Sequence, residues 1–416
     1  MRSRQKSNEI KNQSTSILGR ILVLTGARQT GKTTLVKELF HNHPYITIED
    51  PVTRVDLSKL TAKQWHELYP KAILDEIQKS PAIIESIKAV YDQFEDTSHI
   101  LLGSSQLLLL QKVKESLAGR CKIIELFPLT LPEMQTKGWD DNPKPSVFQQ
   151  LLEHGSLPAL FPSFRLAPNY TEKKVAYDTY LKWGGYPILH KDVLSDVEKE
   201  SWLQDYVRTY LERDIRDLAD FKNLEPFVRV QQMSAHLTGQ TINFSYLARQ
   251  ASIHSLTAQR FMHYMELSYQ TILLAPWHRN PLKRLSKMPK LHYLDPGVQQ
   301  MVANKTIGTL NEHAYESAIV AEVYKQAKNS GAPVSFFHLR TVDGREVDLL
   351  IETDQGYYAF EIKQSESVHK TDARGLIDLQ NILDKPILAA FVLSNDPETK
   401  MLTDQITAVH AGMFLS

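Results

Sequence analysis

Cysteine is almost absent. Cys121 stands alone in 416 residues, which excludes an internal disulfide and a cysteine-built zinc site and fits a reducing cytoplasm. An excess of either charge is absent too. Lys and Arg number 48 against 48 Asp and Glu, so a nucleic-acid surface would have to be a local patch. No apolar run approaches the ~18 residues of a membrane-spanning helix. The string LLGSSQLLLL at 101–110 is too short and is broken by polar residues. The first sixteen residues, MRSRQKSNEIKNQSTS, lack the apolar stretch of a secretory signal and read as a flexible tail. A cytoplasmic protein with no membrane partner is expected. The 42% hydrophobic and 23% charged fractions are those of a soluble globular chain. Its length calls for two to four domains.

The richest stretch is GARQTGKTTLVKELF, residues 26–40. The apolar run Ile21–Leu24 reads as a buried strand, and Leu35, Val36, Leu39 and Phe40 recur at helical spacing. A strand, a glycine loop and a helix in that order are the setting of the phosphate-binding pattern GxxxxGK[ST]. Gly26 and Gly31 let the backbone bend tightly, so that the loop of Gly26, Ala27, Arg28, Gln29, Thr30, Gly31, Lys32, Thr33 and Thr34 can turn its N–H groups to phosphate oxygens. Lys32 would reach the β and γ phosphates. The Thr33 hydroxyl would ligate Mg²⁺.

Hydrolysis also needs an acidic anchor for Mg²⁺ and a base for water. AILDEIQ, 72–78, supplies both where a strand ends: Asp75 for the metal and Glu76 for the water. A third strand, Ile100–Leu102, ends in Gly103, Ser104 and Ser105. Ser104 would sense the γ phosphate or cap the next helix. In ESLAGR, Arg120 would neutralise transition-state charge in its own site or a neighbour's, or merely favour the end of its helix. Arg28 carries the same ambiguity.

Strands and helices alternate over 17–135, the pattern of an α/β parallel sheet. Helical signals fill 136–235, where DYVRTYLERDIRD sets Arg208, Arg213 and Arg216 among acids at helical spacing. Residues 236–300 read as a helix-turn-helix with a wing. Leu247, Ala248, Leu256, Phe261 and Met265 would be its seam, and Ser255, Thr257, Gln259 and Arg260 its exposed side. Arg279, Lys283, Arg284, Lys287 and Lys290 follow with no acid between Glu266 and Asp295. Residues 242–290 would therefore lie along DNA or RNA, or serve only as a packing module. In 301–416, Asp348 falls on one strand, and Glu361 and Lys363 on the next point the same way. Asp348 and Glu361 would hold Mg²⁺, with Lys363 activating water or stabilising charge on a phosphate and Glu316 or Glu322 completing the shell.

With GARQTGKTT, AILDEIQKSP, LLGSSQ, ESLAGR and LFPLTLPEM in this order, and YLERDI, SKMPKLHYLDPG and GREVDLLIE…EIK later, the chain resembles a family of bacterial and archaeal AAA-type ATPases with a C-terminal domain of unknown function. The resemblance implies a P-loop ATPase core using ATP and Mg²⁺, a winged-helix element and a restriction-endonuclease-like terminal domain. By position, Lys32, Thr33, Asp75 and Glu76 would bind and hydrolyse MgATP, while Asp348, Glu361 and Lys363 match the nuclease-like core. The resemblance also implies a homo-oligomer, because such sites often need a neighbour's arginine. Two functions follow: an ATP-driven switch or motor that engages nucleic acid, with or without metal-dependent cutting, or a signalling scaffold acting on a protein with an inactive terminal domain.

Overall fold

The computed structural model describes residues 2–13, 19–103, 116–155, 163–211, 223–341 and 343–416. Five parallel strands, β1 (Ile21–Thr25), β2 (Tyr45–Thr47), β3 (Lys71–Asp75), β4 (Ser98–Leu102) and β5 (Cys121–Glu125), form the first sheet in the order β2-β3-β4-β1-β5. Alternation along β1 explains why both faces are covered. Ile21 and Val23 pack with Trp65, Ile83 and Ile87 on one side, while Leu22 and Leu24 meet Leu35 and Val36 on the other. Burying each of these side chains contributes about 1.5–3 kcal/mol. The chain leaves β1 and β3 on the same edge of the sheet, which brings Gly26 and Asp75 together.

Residues 2–13 of the polar leading segment are packed, contrary to expectation. Ser7–Gln13 forms a helix whose Ile10 is buried against Leu22 and Leu35. Arg4 is buried as well, with its guanidinium donating to the Thr30 and Phe127 carbonyls and paired with Glu133 at 3.1 Å. Polar composition suggested a solvated tail, but a guanidinium can be buried where carbonyl oxygens and a carboxylate surround it.

The middle of the chain contributes helices Val147–His154, Tyr170–Trp183 and Asp196–Asp205, the last running into a π-helical stretch, Tyr206–Leu211. Ser146 and Ser195 start two of these with reciprocal caps from Gln149 and Glu198. Arg208 lies in the π-helical stretch; Arg213 and Arg216 lie outside the described residues. Helices Glu225–His236, Phe244–Ala251 and Ser255–Leu267 then pack around Leu247, Ala248, Phe261 and Met265. Leu256 is not in that seam; it sits in the first turn of its helix, 76% exposed.

Strands β6 (Gln240–Thr241), β7 (Thr271–Pro276) and β8 (Lys290–Tyr293) pair antiparallel beside these helices. They do not stop at the expected domain boundary. β7 runs parallel to β9 (Ser335–Arg340), pairing Ala275 with Phe337. Thus β9, β10 (Glu346–Glu352), β11 (Tyr357–Ile362), β12 (Ile387–Ser394), β13 (Lys400–Thr403) and β14 (Ile406–His410) complete one nine-stranded sheet. Helix Glu312–Ser330 packs Ala318, Ile319 and Val323 into a core with Leu349, Phe360 and Phe391.

The segment after β5 is gripped through glycines. A Cβ on Gly26 would stand 2.2 Å from the Leu126 carbonyl oxygen, and one on Gly185 would stand 2.3 Å from that of Leu129. Buried Asp295 accepts from the Gly185, Gly297 and Val298 amides, so the strings KWGGYP and YLDPG form one clasp.

Burial holds several imidazoles neutral. Desolvation lowers His99, His190, His338 and His410 from 6.5 to about 4, and lowers His292 well below 6.5. Between those limits the unfolded chain binds more protons than the folded one. The stability they contribute is therefore complete above 6.5 and falls as pH drops towards 4, by about 1.4 kcal/mol per group for each pH step of one in that window. The thermal midpoint should be lower at pH 5 than at pH 7.5. In His99→Gln the same comparison should give a smaller drop, as read by circular dichroism melts.

Candidate functional site

The glycine loop closes on itself where β1 ends. Gly26, Gln29 and Gly31 have positive φ of 143°, 64° and 91°, and the Gly31 carbonyl accepts from the Leu35 amide to start helix Lys32–Leu39. Thr30 is buried, its hydroxyl bonded to the Ala27 carbonyl at 2.9 Å. The Arg28 carbonyl lies 3.4 Å from the Tyr206 hydroxyl, so the helical region touches the loop. Lys32 is folded over the loop, its ammonium 2.8 Å from both the Gly26 and Ala27 carbonyl oxygens. Thr34 faces outward in the first helical turn.

Opposite this loop, the Thr33 hydroxyl donates to Asp75 Oδ2 at 2.8 Å, and the Tyr45 hydroxyl donates to the same oxygen at 2.7 Å. Glu76 follows in a left-handed conformation, φ 56°. Its carboxylate accepts from the Gln78 amide at 2.5 Å. The strained backbone turns Glu76 out of the strand direction and Gln78 fixes its side chain. A hydroxyl and two carboxylates are oxygen donors of the kind Mg²⁺ selects, so these residues fit the ion. Tyr45, Gln78 and Arg4 escaped sequence reasoning because no pattern ties their positions to the loop. Glu125 was missed too; it accepts from Tyr269, whose hydroxyl is also 3.3 Å from Thr25 at the loop's threshold.

One expected contributor does not join this site. Arg120 closes its fork on Asp92 with bonds of 2.7 and 3.1 Å. It precedes β5 at the end paired with Ile21, whereas the loop leaves beyond the Thr25–Glu125 pair. That is a strand length of about 16 Å from the phosphate loop of its own chain. Ser104 lies outside the described residues.

A second cluster gathers on the large sheet. The β10–β11 register sets Asp348 across from Glu361, and the Ile362 amide donates to Asp348 at 2.9 Å. Lys363 pairs with Glu361 at 2.7 Å. Glu316 joins them, but Glu322 does not: it accepts from the Leu131 amide at 2.7 Å and pairs with buried Lys325. The middle of the cluster holds the Lys290 ammonium, 2.7 Å from Glu316, 2.9 Å from Asp348 and 3.1 Å from Glu346. Burial opposes its charge, but the carboxylates of Asp348, Glu316 and Glu346 outweigh burial and hold it above the ordinary lysine value. Burial beside Asp348 pushes Glu361 up to about 8. Asp348 and Glu361 are thus neighbours, as expected, but do not form a ready Mg²⁺ shell. Among the described residues, no group of three or more His, Cys, Asp or Glu is arranged to hold a metal.

The basic stretch divides in the same way. Arg279, Lys283 and Lys287 are exposed, Lys290 is buried, and Arg284 is tied to Glu352 at 3.1 Å and stacked over Phe337.

A parallel sheet carrying this loop and acid pair defines a P-loop nucleotide-binding domain. Residues 18–135 match the family model described as an AAA domain, so the N-terminal unit is of AAA type. Residues 174–306 and 311–414 match two models described as domains of unknown function. Uncharacterized proteins of Mycobacterium bovis and Mycobacterium tuberculosis are each 26% identical over 408 residues, covering 95% of this chain and 81% of theirs. Among solved structures, a Walker-type ATPase of Pyrococcus abyssi is similar at a TM-score of 0.45 and 13% identity, over 72% of this chain and 94% of that one. No helix among the described residues is long and apolar enough to cross a membrane.

Arg4 supports the loop from behind, so Arg4→Met should leave Glu133 buried without its charge partner. A loss of about 3–5 kcal/mol is expected, measured by urea denaturation.

Proposed function

We propose that the chain binds MgATP at Gly26–Thr34 and hydrolyses it, acting as a nucleotide-dependent switch or motor. The observation that carries this reading is the Thr33 hydroxyl seated 2.8 Å from Asp75, with the Lys32 ammonium folded over the glycine loop. Lys32 would exchange its two carbonyl contacts for the β and γ phosphate oxygens, and the loop amides would take the remaining charge. Thr33 and Asp75 would hold Mg²⁺, which when bound neutralises phosphate charge. Glu76, steadied by Gln78, would accept the proton of the attacking water. Arg120 is left for a neighbouring copy's site, which is the reading that would favour a homo-oligomer.

Glu76→Gln should reduce turnover by about 10²–10⁴-fold while ATP binding persists, and unchanged hydrolysis would refute the role. Gln78→Leu should lower kcat by a smaller factor with little change in KM. Steady-state phosphate release and fluorescent-nucleotide titration read both variants.

For the C-terminal half we infer a winged helix in Glu225–Tyr293, with helix Ser255–Leu267 and the segment 277–289 facing nucleic acid. Exposed Gln259, Arg260, Arg279, Lys283 and Lys287 support it, while Ser255 and Thr257 are half-buried. The helix-then-strands order of 312–394 supports a restriction-endonuclease-like fold. Lys290 engages its acids, so cleavage is not part of this proposal. A protein partner is the second reading, favoured by exposed Leu256, Leu282 and Met288 on the same elements. Replacing Lys283 and Lys287 together by alanine should reduce the salt slope of labelled-DNA binding by about 2. Binding that shows no salt dependence would favour the protein partner.

A further inference from the structure

The acidic pocket of the large sheet contains a cation of the chain's own. Glu316 comes from helix Glu312–Ser330, Asp348 and Glu346 from β10, and Lys290 from β8, in the unit preceding that helix. Carboxylate oxygens from three acids lie within 3.1 Å of one nitrogen. The Lys290 side chain is 2% exposed, and Glu316 and Asp348 are 8% exposed. Glu361 sits beside Asp348, and its Oε2 is buried with no hydrogen-bond partner among the described residues. Glu346 is 39% exposed at the rim, but Glu316, Asp348 and Glu361 lie away from water and require a compensating positive charge, since an uncompensated buried carboxylate is costly.

We propose that Lys290 is the resident cation of this pocket: its ammonium stands where a divalent metal would stand, and it latches β8 onto the terminal domain. Two consequences follow from the geometry. The pocket does not take up a divalent ion while β8 is seated. It becomes a cation site when the ammonium is removed and the carboxylates, which as placed around Lys290 form no metal site, draw in on the point it leaves. The inference concerns the C-terminal sheet and stands apart from nucleotide turnover at Gly26–Thr34.

The test is calorimetric titration of the full chain, without nucleotide, using Ca²⁺. This ion is chosen because its oxygen distances, about 2.3–2.6 Å, are nearer to those of the ammonium than the roughly 2.0–2.1 Å of Mg²⁺. The wild type should show no saturable binding attributable to this pocket. Lys290→Met should bind one Ca²⁺ and gain thermal stability with it, and adding Asp348→Asn should abolish both effects. A Lys290→Met chain that folds only with Ca²⁺ present also supports the proposal. Wild-type binding that Asp348→Asn removes would overturn it, as would a folded Lys290→Met chain that ignores Ca²⁺. If Lys290→Met folds in neither condition, Lys290→Met/Glu316→Gln/Asp348→Asn decides, because it removes the cation together with charges it neutralises. Recovery of folding supports the ammonium as counter-cation, and continued failure overturns it.

Discussion

The architecture hangs on the few residues that leave β5. Leu126–Leu131 runs so close to its neighbours that side chains are excluded on both flanks, by Gly26 at one carbonyl and Gly185 at another. The same segment accepts from Arg4 at Phe127 and from Lys325 at Leu129, and donates to Glu322 from Leu131. A single extended strip thus touches the phosphate loop, the leading helix, the helical region and the terminal domain. Backbone packed against backbone has no rotamers with which to relax, so a shift at Gly26 must be passed on or resisted.

Charge is handled differently at the two acidic centres. At the loop, Asp75 and Glu76 are only half-buried and accept from neutral hydroxyl and amide groups, which a bound cation and phosphate can displace at modest cost. In the large sheet the acids are buried and paired with lysines from inside the chain. The first arrangement is open to a ligand; the second is internally neutralised. That contrast separates a nucleotide site from an interdomain contact more firmly than the residue types do, since both centres consist of acids, a lysine and a strand end.

The line between the units is less sharp than composition suggests. β7 pairs with β8 on one side and β9 on the other, so the helix-turn-helix region and the terminal domain share a sheet. Tyr269, between helix Ser255–Leu267 and β7, reaches Thr25 and Glu125 and connects that sheet to the foot of the phosphate loop.

Local pattern alone determined the phosphate-binding half of the protein. An apolar run, two glycines at fixed spacing and an acidic pair after a strand specify their own geometry within a few residues, so β1, the loop and the pairing of Thr33 with Asp75 were legible in the chain itself. The strands around Asp348 and Glu361 were legible for the same reason, through alternation. Tertiary structure decided the rest. Lys290 reads in sequence as one of five solvated basic residues, Arg4 as part of a polar tail and Leu256 as part of a seam. Burial and charge pairing depend on which distant segment arrives, and neither periodicity nor spacing encodes that arrival. Chain folding brings β8 to helix Glu312–Ser330, and this alone turned an expected metal shell into a lysine held by three carboxylates.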